Sequence, residues 1–153
     1  MTDVQKGRWL VAGQFVLFAL LLLLPRGADW EARGVALAEA IGSLAFLAAA
    51  MSFWGLGRAR AANPVPNAGG SLVVAGAFRL VRHPTYSFLL LAFLAIASRS
   101  QSWAHVALWL ALVALFNVKA RFEERLLAAK FGDYEEYAAR TGRFLPRWRR
   151  SAL

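Results

Sequence analysis

The sequence predicts an all-α integral membrane protein with about four transmembrane segments, the third short, and a cytoplasmic helical extension at the C-terminus. Three observations predict this. Of 153 residues, 59% are hydrophobic and 18% charged, and the mean hydropathy is +0.46, which is too apolar for an ordinary soluble domain. The apolar residues gather into four runs of helical length. The cations are distributed unevenly among the segments that join those runs.

Each run can be justified in order. Trp9 to Leu24 is interrupted only by Gly13 and Gln14 and is stopped by Pro25, which cannot continue a helix. A signal peptide is the rival reading, but the apolar stretch is long and no small-residue cleavage site follows it. Ala36 to Leu56 forms a second segment. The third run, Tyr86 to Ala97, is short: counted from Pro84 it holds about 14 residues, roughly 21 Å of helix against a hydrocarbon core of roughly 30 Å. It either spans a thinned membrane or turns back as part of a helical hairpin. Trp103 to Phe131 contains neither Gly nor Pro, and a continuous helix there reaches about 43 Å, so its end emerges into water.

Fifteen of the eighteen Lys and Arg lie in the N-terminus, the linker between segments two and three (Arg58, Arg60, Arg79, Arg82) and the tail from Lys119. Only Arg26, Arg33 and Arg99 fall in the other two loops. The positive-inside rule then puts both termini and the long linker in the cytoplasm, as expected of a multi-pass protein of a bacterial inner membrane. The net charge of +9 is accounted for in this way, and no nucleic-acid partner is expected. With no cysteine, thiolate chemistry and the common structural zinc sites are excluded, and no metal is expected.

Two polar clusters flank the apolar hairpin on the same side. The first is FRLVRHPTYS, residues 78–87. Pro84 suits the first position of a helix and biases His83 toward a cap. A helix N-terminus with Arg82 and His83 beside it makes a pocket for a carboxylate, although Arg79 and Arg82 would equally contact lipid headgroups. The second cluster is KARFEERLLAAKFGDYEEY. Glu123 and Glu124 sit where the helix leaves the membrane, spaced for intrahelical pairs with Lys119 and Arg121. Gly132 then ends the helix, and Asp133 with Glu136 has the spacing of a capping box. Tyr134 and Tyr137 either fold the next helix back as an aromatic lid or anchor it at the interface.

The order SLVVAGAFRLVRHPTY, EERLLAAKFGDYEEY and RFLP resembles the isoprenylcysteine carboxyl methyltransferase family, whose relatives include phospholipid methyltransferases. The similarity covers about the last 90 residues. It implies a single membrane methyltransferase domain, 1–153, with two N-terminal spanning segments in 1–62 and a cofactor-binding core in 63–153. It also implies S-adenosyl-L-methionine as cofactor and a lipid-like methyl acceptor among the membrane lipids. Carried over by position, it assigns cofactor contacts to Gly70, Ser71, Leu72, Val73, Phe78, His83, Pro84, Thr85, Tyr86 and Glu123. It gives Lys119 a place facing the acceptor, with Arg82 beside it, and makes His83 and Lys119 the catalytic candidates. Ala77 and Phe78 replace the family's usual Pro and Tyr, Phe88 stands where Gly is common, and the spacing from Phe131 to Tyr137 is one residue shorter.

The residue types suit that cofactor. A carboxylate fits the His83 helix start, an ammonium or ribose fits Glu123, and aromatic faces fit a sulfonium and a purine. A carboxylate acceptor needs no base, whereas an amine or thiol acceptor needs one, for which His83 is the candidate. O-, N- and S-methylation, of a phospholipid or a small molecule, therefore stay open. So do a nonenzymatic membrane interaction protein and a sterol or quinone reductase on the same fold. Of the remaining polar residues, Glu39 is expected to snorkel, His105 to lie at the outer interface, Asn63 to make a turn, and RFLPRWRR to anchor on anionic lipid.

Overall fold

A computed structural model describes residues 2–25, 27, 32–56, 71–100 and 102–147. Gly70, Asn63, Arg58, Arg60 and the Trp148 end of the basic tail lie outside the described residues. Within them the chain forms five α-helices: α1 (Asp3–Leu23), α2 (Ala32–Gly55), α3 (Pro84–Arg99), α4 (Trp103–Lys130) and α5 (Tyr134–Arg140). A 3-10 turn, Gly76–Arg79, precedes α3.

The first helix begins six residues before the apolar run. Thr2 accepts from the Gln5 amide at 3.3 Å and the Gln5 side chain accepts from the Thr2 amide at 2.9 Å, a reciprocal cap that carries the helix through Lys6 and Arg8. At the other end Leu24 turns extended before Pro25. The third helix opens as expected, with Pro84 in its first turn and His83 as cap. Its 16 residues give about 24 Å, shorter than a bilayer core, while α1, α2 and α4 are each long and apolar enough to cross one.

Packing follows from which side chains are small. Along α2 and α3, Ala45, Ala49, Ala92 and Ala95 are buried, and the position of a Cβ on Gly42 lies only 3.3 Å from the Ala95 Cβ, so the two helices meet closely. On the other flank of α3, Leu21, Phe93, Leu112 and Phe116 form a core shared by α1, α3 and α4, with Phe18 stacked on Phe93 at 4.3 Å. The outward faces are left apolar: Phe15, Leu44, Phe46 and Leu110 are exposed, a surface that water would penalise and lipid would not. Trp9 and Trp54 are exposed near one end of the bundle and Trp103 near the other, as aromatic belts require.

Ion pairs define the two ends. Asp3 meets Arg125 at 3.5 Å, joining the start of α1 to the end of α4. At the opposite end Glu39 on α2 meets Arg99 on α3 at 2.7 Å, and the Gly27 amide donates to the Ser100 carbonyl. The starts of α1 and α3 and the end of α4 therefore share one end, where both polar clusters lie.

Two expectations are corrected. His105 is fully buried rather than interfacial, because it shares an inward stripe of α4 with Leu112, Phe116 and Lys119. Both its ring nitrogens lack a hydrogen-bond partner among the described residues. Asp133 does cap α5 by position, but its backbone stays in the helical region (φ −89°, ψ −1°) and its carboxylate makes no capping bond. A side-chain cap needs an extended backbone at that residue. The short helix is held instead by its tyrosines.

Candidate functional site

The site is assembled from three pieces of chain. Residues 81–83 run beside residues 142–144: Val81 bridges Gly142 in parallel, the Arg82 amide donates to the Gly142 carbonyl at 2.8 Å, and the His83 amide donates to the Arg143 carbonyl at 3.1 Å. Ser87 extends this contact by donating to the Phe144 carbonyl at 2.7 Å. Glycine is required at 142, since a Cβ there would collide with the Leu145 carbonyl. The segment after α5 thus forms a strap across the start of α3, and α4 supplies the third piece.

Glu124 is the electrostatic centre of this junction. Its carboxylate accepts from Arg82 Nε at 3.0 Å and from Arg143 at 3.0 and 2.6 Å, and its Oε1 lies 3.2 Å from His83 Nε2. The Arg143 contact is bidentate, the geometry in which a guanidinium grips a carboxylate best. Arg82 also donates to the carbonyls of Ala138 and Thr141, at the end of α5. Its guanidinium is thereby engaged within the protein. The intrahelical pairing expected for Glu124 with Arg121 gives way to these long-range contacts, because Glu124 and Arg82 are both largely buried and each needs a partner of opposite charge.

The adjacent carboxylate behaves differently. Glu123 is half-buried, accepts from the Tyr86 hydroxyl at 3.0 Å, and its Oε2 lies 3.6 Å from His83 Nδ1. The two nitrogens of the His83 imidazole thus face two different carboxylates. The ring stacks on Tyr86, with centroids 5.2 Å apart and planes nearly parallel, and Tyr86 stacks in turn on Phe116 at 4.7 Å. Lys119 does not pair with Glu123 along the helix as expected. Buried to 3% exposure, its Nζ donates to Gln14 Oε1 at 2.5 Å and lies 5.0 Å from the Tyr86 ring centroid, a cation–π distance.

A second layer holds the strap in place. Tyr137 donates to the Phe78 carbonyl at 2.7 Å and Thr141 to the Tyr137 carbonyl at 2.8 Å. Burial pushes the Tyr137 phenol up to about 12 and raises Tyr134 further, so both stay neutral, and Tyr137 is the donor of the two. Hydrogen bonding to Glu124 raises the Arg143 guanidinium above its ordinary value.

The structure therefore brings His83, Pro84, Tyr86, Lys119 and Glu123 together, with Thr85 half-buried in the first turn of α3. Phe78 is buried beside Tyr137. Ser71, Leu72 and Val73 form a non-helical stretch leading toward the 3-10 turn. Sequence reasoning missed the roles of three residues. Glu124 was treated as a surface partner of Arg121. Arg143 was grouped with a lipid anchor, whereas it points inward. Gln14 was noted only as an interruption, and that interruption of an apolar run was the available signal.

Comparison with known proteins adds a family and two relatives. The family model described as phospholipid methyltransferase matches residues 34–134. The cobalt-zinc-cadmium resistance protein CzcN of Cupriavidus metallidurans is 40% identical over 78 residues, 50% of this chain and 36% of that protein. The nickel-cobalt-cadmium resistance protein NccN of Alcaligenes xylosoxydans xylosoxydans is 31% identical over 77 residues, again 50% of this chain and 36% of the relative. The match thus spans little more than a third of the length of these curated relatives.

Proposed function

The chain belongs to the phospholipid methyltransferase family, and from that premise we propose that it is an S-adenosyl-L-methionine-dependent methyltransferase of a lipid-like acceptor at the cytoplasmic membrane face. The reading is isoprenylcysteine carboxyl O-methyltransferase-like. The observation that carries it is the meeting of His83 and Glu123, forty residues apart in sequence and 3.6 Å apart in space, at one end of an apolar helical bundle.

The residues present fit the cofactor. Glu123 has one hydrogen bond, from Tyr86, among the described residues, so its other oxygen remains for an ammonium or a ribose hydroxyl. The first amides of α3 suit a carboxylate. When bound, S-adenosyl-L-methionine supplies an electrophilic methyl group on a sulfonium centre.

The chain's own residues do the rest by positioning. Glu124, clamped by Arg82 and Arg143, locks the end of α4 against the start of α3, and this holds the neighbouring Glu123 toward Tyr86. Lys119 offers positive charge where an acceptor carboxylate would be held, and such a nucleophile needs no base at neutral pH. For an amine or thiol acceptor His83 is the base: Nε2 donates to Glu124 at 3.2 Å, which orients the ring, and Nδ1, 3.6 Å from Glu123 and outside hydrogen-bond distance, is the nitrogen left to take the proton. Water reaches the polar end from the cytoplasm, and the acceptor tail enters from lipid beside α3 and α4.

Calorimetric titration of the detergent-purified protein with S-adenosyl-L-methionine and with its demethylated product tests the reading. Binding is expected in the parent, with a loss of about tenfold or more in His83→Ala and in Glu123→Gln, since each removes a group bonded to a charged partner. Full affinity in both variants would remove the site assignment. Label transferred from the methyl donor into lipid, rather than into protein or vapour, identifies the acceptor class.

A further inference from the structure

Lys119 sits in surroundings that its helix does not explain. It is an ammonium at 3% exposure on a helix able to span a membrane, and among the described residues it makes no ion pair. Its observed partners are the neutral amide oxygen of Gln14 and the rings of Tyr86 and Phe116, at 5.0 and 6.0 Å. Glu123, one helical turn further along α4, acts on this ammonium through space without contacting it; a buried cation with no carboxylate in contact is costly, and within a membrane such a group marks a functional position. An ammonium also carries three N–H donors, and Gln14 accepts one of them.

Gln14 is equally out of place. It lies half-buried in the middle of α1, between Gly13 and Phe15, on a helix whose core-packed side chains Leu17, Phe18 and Leu21 are apolar. That helix ends before the family match begins at residue 34. The contact joins residues 105 positions apart, so α1 is linked to α4 by a polar bond within the bundle as well as by packing. A carboxamide is suited to one task here: its oxygen orients the ammonium without cancelling its charge. A glutamate would form a buried ion pair and neutralise it, and a leucine would leave it unheld.

We propose that Gln14 is a positioning residue that holds the Lys119 ammonium over the Tyr86 ring, leaving its remaining N–H donors for the anionic end of a lipid-like acceptor. This rests on the methyltransferase reading above and deepens it by making α1 part of the acceptor site. Tyr86 connects the two halves, its ring under Lys119 and its hydroxyl on Glu123. An acceptor headed by an ammonium is disfavoured at such a site by like charge, and one headed by a carboxylate is favoured.

The test uses the full chain in lipid nanodiscs, with N-acetyl-S-farnesylcysteine as a single-carboxylate probe and phosphatidylethanolamine as the amine-headed competitor. Calorimetric binding is measured with the demethylated cofactor product present, so that no turnover is needed. Gln14→Leu and Gln14→Glu are each expected to weaken the carboxylate probe about tenfold while leaving affinity for the cofactor product within twofold. Gln14→Glu should hold its thermal midpoint at or above the parent's, a combination that a merely structural role would not produce. Unchanged probe affinity in Gln14→Glu would overturn the proposal, even if Gln14→Leu failed to fold. A parent protein that binds the cofactor product but prefers the amine-headed lipid would overturn it too, with the methyltransferase reading intact. Failure of the parent to bind the cofactor product would instead defeat that reading, and the effect of the Gln14 variants on the carboxylate probe would still decide the inference.

Discussion

The two ends of the helical bundle hold their charges in different ways. At one end Glu39 and Arg99 form a single ion pair whose side chains are 53% and 32% exposed. At the other, Glu124 at 14% exposure is gripped by Arg82 and Arg143 and touched by His83, drawing together α4, the start of α3 and the strap. An exposed pair is screened by solvent and is worth little. A buried carboxylate with several donors cannot lose them without leaving charge uncompensated, so it dictates geometry. The bundle is thus a loosely pinned apolar scaffold at one end and a locked polar junction at the other. The residues of the proposed site, His83, Tyr86, Lys119 and Glu123, gather at the locked end.

Breaking the lock should have the largest effect. Glu124→Ala leaves Arg82 and Arg143 without their carboxylate and is expected to lower stability by about 3 kcal/mol, measured as thermal unfolding in detergent. Gly142→Ala attacks the same junction through the backbone. The collision with Leu145 should displace the strap, at a cost of about 2 kcal/mol, and reduce cofactor affinity with it. Glu123→Gln sharpens the contrast between neighbours, because a neutral amide can still accept from Tyr86. Its stability should stay within about 1 kcal/mol of the parent while cofactor binding falls. Arg99→Gln, at the loose end, is expected to change stability by about 0.5 kcal/mol or less and to leave cofactor binding untouched. A Glu124→Ala variant as stable as Arg99→Gln would erase the distinction between the ends.

Much of the fold could be read from local pattern, and the exceptions have identifiable causes. Pro84 at a helix start, Pro25 after a helix end and four apolar runs each act over a few residues, so the helices came out within a few positions of expectation. The start of α1 ahead of its apolar run also had a local signal, the capping pair of Thr2 and Gln5. His105 was misjudged because its position near the helix end counted for more than its register with Leu112 and Phe116. The capping box at Asp133 failed because spacing says nothing of backbone conformation.

Within the candidate site, the sequence alone determined which side chains would gather at one end of the bundle, since the apolar runs set the helices and the polar clusters flank them. Which carboxylate would be locked and which left available was decided only by tertiary structure. Glu123 and Glu124 are chemically identical neighbours on one helix, and nothing local separates them. About 100° of helical rotation turns one toward Arg82 and Arg143 and the other toward Tyr86, and the burial of each then sets what it can bind. The contacts of Arg143 and Gln14 were hidden for the same reason: each depends on a partner that only the folded chain brings near.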